Sequence, residues 1–128
     1  MNAIPVIDVA TLGGNYARLG AALGHAARFF SQELAAKDAL SIRHSPHNRG
    51  YVALGEERLD ATKPGDVKAA FNIGLDMPPD HPEVLAGKPF RGANVWPDAR
   101  ALPDFKPAML AYFAACHEFG MRLHRALA

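Results

Sequence analysis

At 128 residues and 13.8 kDa the chain has the size of one domain, and 49% hydrophobic with 21% charged residues excludes long disorder. Fourteen basic against 13 acidic side chains leave a net charge of +1, and no run of like charge exceeds two residues. That balance excludes nucleic acid or an anionic membrane as the main partner.

The single cysteine, Cys116, forbids an internal disulfide and fits a reducing cytoplasm. Met1-Asn2-Ala3-Ile4-Pro5 has no basic stretch of the kind that opens a signal peptide. No segment approaches the roughly 18 consecutive apolar residues of a spanning helix, so the expectation is a soluble protein.

In chain order, Ile4-Pro5-Val6-Ile7-Asp8 reads as a short strand, with proline at its first residues. Gly13-Gly14 breaks the chain and Asn15 offers an N-cap. A helix is predicted from about 15 to 39. Tyr16, Leu19, Leu23, Ala27, Phe30 and Leu34 mark its inner face, with Arg18, His25, Arg28 and Gln32 opposite. Phe29 falls off that face. Gly20 and Gly24 are spaced for another element to approach closely.

Nine of the ten prolines fall between Ser45 and Pro107, so no long helix is expected there. Gly50 to Gly55 and Val67 to Ile73 read as short strands, and Lys63-Pro64-Gly65-Asp66 as a turn. Glu83 to Ala86 makes one helical turn that Gly87 ends. The last helix opens at Asp104 and runs to about 127, with Pro107 inside its first turn. Met109, Tyr112, Cys116, Phe119, Leu123 and Leu127 form one apolar stripe; Leu110, Phe113, Ala114 and Met121 form another, with His117 and His124 among them. A helix apolar around most of its circumference wants cover on most sides, and the rest of the chain is small for that task. The fold class expected is α+β and mostly helical: helices at about 15–39 and 104–127 flank a proline-rich middle with a few short strands, in one domain over 1–128.

The residues define no active site by themselves. His44 and His47 lie three apart, but Pro46 intervenes and no cysteine or carboxylate completes a metal site, so they read as solvated loop histidines. His81 and Glu83 have the His-x-acid spacing of a facial iron triad, with His117 or His124 as third ligand. A proline-rich loop is poor ground for that triad, and Glu83 at the start of a helical turn is the plainer reading. His117 and His124 read as hydrogen-bonded core residues, and Cys116 as a small buried hydrophobe. The glycines fit no phosphate-loop spacing.

A resemblance says more. His44-Ser45-Pro46-His47-Asn48-Arg49-Gly50-Tyr51, Gly55-Glu56-Glu57, Phe71-Asn72-Ile73-Gly74, Asp80-His81-Pro82-Glu83 and Asn94-Val95-Trp96-Pro97-Asp98 follow one another at familiar spacing. Together they resemble the N-terminal region of isopenicillin N synthase-like oxygenases, non-haem iron(II) enzymes that mostly use 2-oxoglutarate. Ile4 to Asp8 and Phe29-Phe30 with Lys37 extend the resemblance over nearly the whole chain.

The family's aromatic strand ending in Asn-His-Gly has no counterpart here, which implies an internal deletion. The resemblance places the iron ligands, and the Arg-x-Ser that holds 2-oxoglutarate, in a C-terminal double-stranded β-helix barrel that this chain lacks. It therefore implies Fe(II) and 2-oxoglutarate for the full-length enzyme, and no catalytic, metal or cofactor residue in this segment. Tyr51, Arg91 and Asn94 are the candidates for touching substrate. Where the synthase has a substrate-holding arginine two residues before the Gly-Tyr glycine, this chain has Asn48, with Arg49 next, so that role is not carried over. The expected function is the N-terminal, non-catalytic portion of such an oxygenase, which oxidises a small organic substrate. The alternative is a stand-alone interaction or dimerisation module. A small enzyme using His81, Glu83 and His117 or His124 is the third hypothesis. Partners expected are a second copy or a catalytic domain, with no nucleic acid and no membrane.

Overall fold

The computed structural model describes residues 13–58, 60 and 62–127, with side chains described from residue 17 onward. The Ile4–Asp8 strand expected from the sequence lies outside the described residues. In order come α1 (Gly13–Phe30), α2 (Leu34–Asp38), a 3-10 turn (Ile42–His44), β1 (Gly50–Val52), β2 (Ala70–Asn72), α3 (Pro82–Leu85) and α4 (Phe105–Leu127). No helix among the described residues is long and apolar enough to cross a membrane.

The described chain divides into two compact units, one holding residues 13–29 and 99–127, the other Phe30–Asp98. In the first unit, Asn15 lies inside α1 rather than at its cap. Among the described side chains of α1, Ala22 and Phe29 are buried; of the expected inner face, Leu19, Leu23, Ala27 and Leu34 are exposed and Phe30 is half-buried. Phe29 is fully buried and packs on Phe105 of α4, ring centroids 5.4 Å apart at a 37° tilt. Ring size decided the orientation: a buried aromatic pair removes more apolar surface from water than the leucine stripe of the same helix. Gly20 and Gly24 have no neighbour within 4 Å of an added Cβ among the described residues, so no close approach uses them.

Along α4 the inner line is Phe105, Met109 and Ala115, with Tyr112, Phe113 and Phe119 half-buried. Its C-terminal half is uncovered: Met121, Leu123 and Leu127 are exposed. Cys116, His117 and His124 are exposed too, which corrects their reading as core residues. His117 stacks on Phe113 with centroids 6.2 Å apart.

In the second unit, the single helix expected to run to about residue 39 is two helices. α1 ends at Phe30, whose carbonyl accepts from Lys37 Nζ at 2.9 Å, and α2 restarts at Leu34. A cation on a terminal carbonyl satisfies a group that the helix leaves without a partner. The same ammonium stands 5.9 Å from the Tyr51 ring centroid.

β1 and β2 pair antiparallel, with Gly50 opposite Asn72, Tyr51 opposite Phe71 and Val52 opposite Ala70. Gly50 sits at φ +113° under the Leu40 carbonyl, where a Cβ would collide. The expected turn at 63–66 lies earlier: Lys63 N–H donates to the Asp60 carbonyl at 3.1 Å, and Asp60 Oδ1 accepts from Thr62 N–H and hydroxyl. Those bonds to Thr62 hold the Asp60 carboxyl below its ordinary range. Gly65 instead lies against the Gly55 backbone.

Candidate functional site

The proline-rich middle is fastened by side chains that bond to backbone, because its prolines and short strands leave few ladder bonds. Asn94, 7% exposed, makes the tightest fastening. Its Oδ1 accepts from Gly74 N–H at 2.8 Å, and its Nδ2 donates to the Gly74 carbonyl at 2.8 Å. Its own N–H donates to Asp76 Oδ1 at 2.8 Å. The carboxamide thus reads one glycine's backbone as a strand partner would.

Tyr51 is 4% exposed in β1. Its N–H donates to the Leu40 carbonyl at 2.8 Å, and its ring lies 6.4 Å from that of Phe30. Arg91 is the most open of the three candidates. Its Nε donates to Glu83 Oε2 at 2.8 Å, while Glu83 Oε1 accepts from Lys88 Nζ at 2.7 Å. Those bonds to Lys88 and Arg91 hold the Glu83 carboxyl below the usual carboxylate range. His81 caps α3, its Nδ1 accepting from Glu83 N–H at 3.2 Å. Gly87, at φ +63°, ends α3.

The residue passed over by sequence reasoning is Arg49. It is 8% exposed, and its Nη1 donates to the His47 carbonyl at 2.8 Å while Nη2 donates to the Phe90 carbonyl at 3.0 Å. Gly74 packs against the guanidinium so closely that a Cβ there would collide with it. Burial, and then Arg91, pull the Arg49 pKa below its ordinary value, with Asp76 acting the other way. Only the glycines pointed to this packing: Gly74 faces the Arg49 guanidinium and Gly92 faces the His47 ring.

Among the described residues no three His, Cys, Asp or Glu side chains lie close enough to hold a metal ion. His81 Nδ1 caps a helix, both Glu83 oxygens hold cations, and His117 and His124 are exposed on α4.

Residues 13–99 match the family described as non-haem dioxygenase in morphine synthesis N-terminal, and the chain belongs to that family. Clavatol oxidase claD of Penicillium crustosum is 34% identical over 99 residues, covering 68% of this chain and 29% of that protein. The 2-oxoglutarate-Fe(II) type oxidoreductase hxnY of Emericella nidulans is 31% identical over 96 residues, covering 73% and 27%. Kihadalactone A synthase LFS of Citrus sinensis is 32% identical over 106 residues, covering 82% and 30%. Among solved structures, a protein of Caulobacter crescentus assigned to the 2OG-Fe(II) oxygenase family superposes with a TM-score of 0.68 at 26% identity, covering 88% of this chain and 35% of that one. The chain therefore spans 27 to 30% of the length of these curated relatives and corresponds to the N-terminal portion of 2OG-Fe(II) oxygenase-like proteins.

Proposed function

We propose that this chain is the non-catalytic N-terminal flank of an isopenicillin N synthase-like Fe(II)/2-oxoglutarate oxygenase acting on a small organic substrate in the cytoplasm. The observation that carries the reading is the family match over residues 13–99 together with the 27 to 30% of the relatives' length that the chain spans. In the parent enzyme iron and 2-oxoglutarate supply the oxidising chemistry, and this flank would wall the catalytic barrel. Tyr51, Arg91 and Asn94 remain the substrate-side candidates. Arg91 is the best placed, because its guanidinium is anchored at one edge by Glu83 and otherwise open, whereas Asn94 is occupied with Gly74.

The test is turnover. Incubated with Fe(II), ascorbate and 2-oxoglutarate, the 128-residue chain is expected to release no succinate. Succinate above one equivalent per chain overturns the proposal.

A second reading, an interaction or dimerisation module, is favoured by the uncovered apolar residues Met121, Leu123 and Leu127 on α4. Sedimentation at micromolar concentration decides it: self-association supports the module, and a clean monomer that binds no hydrophobic dye counts against it.

A further inference from the structure

Among the described residues, two other than glycine hold left-handed backbone, Asn48 at φ 61° and Phe90 at φ 58°. Asparagine tolerates that region; an aromatic residue enters it only where its surroundings compel it. Phe90 is not driven there by burial, since the residue is 60% exposed. What compels it is on its backbone. The Phe90 carbonyl takes Arg49 Nη2 at 3.0 Å, across 41 residues of sequence, and the next residue's N–H returns to the Lys88 carbonyl at 3.3 Å.

The other arm of the same guanidinium holds the His47 carbonyl at 2.8 Å and reaches the Asn48 carbonyl at 3.5 Å. Gly74 packs against the fork, and its backbone is held by the Asn94 carboxamide. Both left-handed residues therefore present their carbonyls to one buried cation. A planar fork with fixed donor directions can hold two separate carbonyls at once, whereas an ammonium acts as a point charge.

We propose that Arg49 is a positioning residue whose guanidinium locks Phe90 in left-handed backbone and so fixes the course of the 90–94 segment that carries Arg91 and Asn94. This deepens the reading of that segment as the substrate-side edge of an oxygenase flank, and rests on it for its purpose alone. Its test reads the backbone of this chain and is indifferent to any catalytic partner.

The experiment is NMR on isotope-labelled 128-residue chain, comparing wild type, Arg49→Lys, Phe90→Gly and the double variant. Positive φ brings a residue's own N–H and Hα unusually close, so wild-type Phe90 is expected to show a strong intraresidue cross-peak. Arg49→Lys keeps the charge but not the fork: the cross-peak weakens and the Gly92 and Asn94 amide signals move. Glycine adopts positive φ without a steric cost, so Arg49→Lys/Phe90→Gly returns the Gly92 and Asn94 signals to their positions in Phe90→Gly alone. That rescue is what a merely space-filling Arg49 would not give. An unchanged Phe90 cross-peak in Arg49→Lys overturns the proposal, as does a double variant in which Gly92 and Asn94 stay displaced. Should Arg49→Lys fail to fold, recovery of a folded double variant supports the proposal, and an unfolded one overturns it.

Discussion

Replacing Asn94 by alanine removes two bonds at once and strands both polar groups of Gly74. Each bond measures 2.8 Å, and Asn94 is 7% exposed. A buried backbone group left without a partner costs about 1–3 kcal/mol. Gly74 is only half-buried, so the lower part of that range applies to each group, and the loss totals about 2–4 kcal/mol. With a urea m-value of about 2 kcal/mol/M, the unfolding midpoint falls by about 1–2 M. Trp96, the one tryptophan and two residues away, is the fluorescence probe. Arg91→Ala is the control, because the Arg91–Glu83 pair is part-exposed and its midpoint should stay put. A midpoint for Asn94→Ala within about 0.3 M of wild type would refute the reasoning, since the stranded groups would then be recovering their bonds from water.

Three further outcomes follow from the geometry. Phe29→Ala and Phe105→Ala should each cost about 3–5 kcal/mol by thermal or urea unfolding, and the double variant less than their sum, because the two rings are each other's cover. Gly20→Ala, a helical position with open space where the Cβ would go, should stabilise by about 0.5–1 kcal/mol; a loss would mean that something approaches α1 there. The Glu83 carboxyl, held low by Lys88 and then Arg91, contributes stability above its unfolded pKa that is lost as pH falls through the lower folded value, so the effect lies on the acid side of the ordinary glutamate range. Carbon-detected titration should show the Glu83 midpoint rising in Lys88→Ala and Arg91→Ala; an unmoved midpoint in both removes the cause.

How much of this was readable in advance depends on how local each cause is. The 50–52 and 70–72 strands, the turn of helix after His81 and the 105–127 helix each rest on signals within a few residues: β-branched or aromatic runs, a proline at N1, a glycine at the stop. The inner face of α1 was misread because Leu19 and Leu23 outnumber the one large residue that decides, Phe29, whose partner lies in α4. The break after Phe30 was invisible for a related reason: Ser31 and Gln32 do not forbid a helix, and Lys37 reaching back to the Phe30 carbonyl makes the end stable. Cys116, His117 and His124 were placed inside because each lies among apolar neighbours along α4; the uncovered second half of that helix leaves all three exposed. Arg49 was out of reach except through the glycines at 74 and 92, since nothing in its neighbours announces a carbonyl 41 positions away.

The strand pair is three residues long on each side, so the middle of the chain is riveted rather than woven. Sequence drift should therefore run opposite to the habit of greasy-core proteins. Val67, 92% exposed, and Leu54 and Leu85, also largely open, can turn hydrophilic at little consequence, while a methyl group at position 74 meets Arg49 and at position 50 meets the Leu40 carbonyl. In a saturation library of this chain the least replaceable positions of the 49–94 stretch would be a glycine, an asparagine and an arginine, none of which a hydropathy plot would mark.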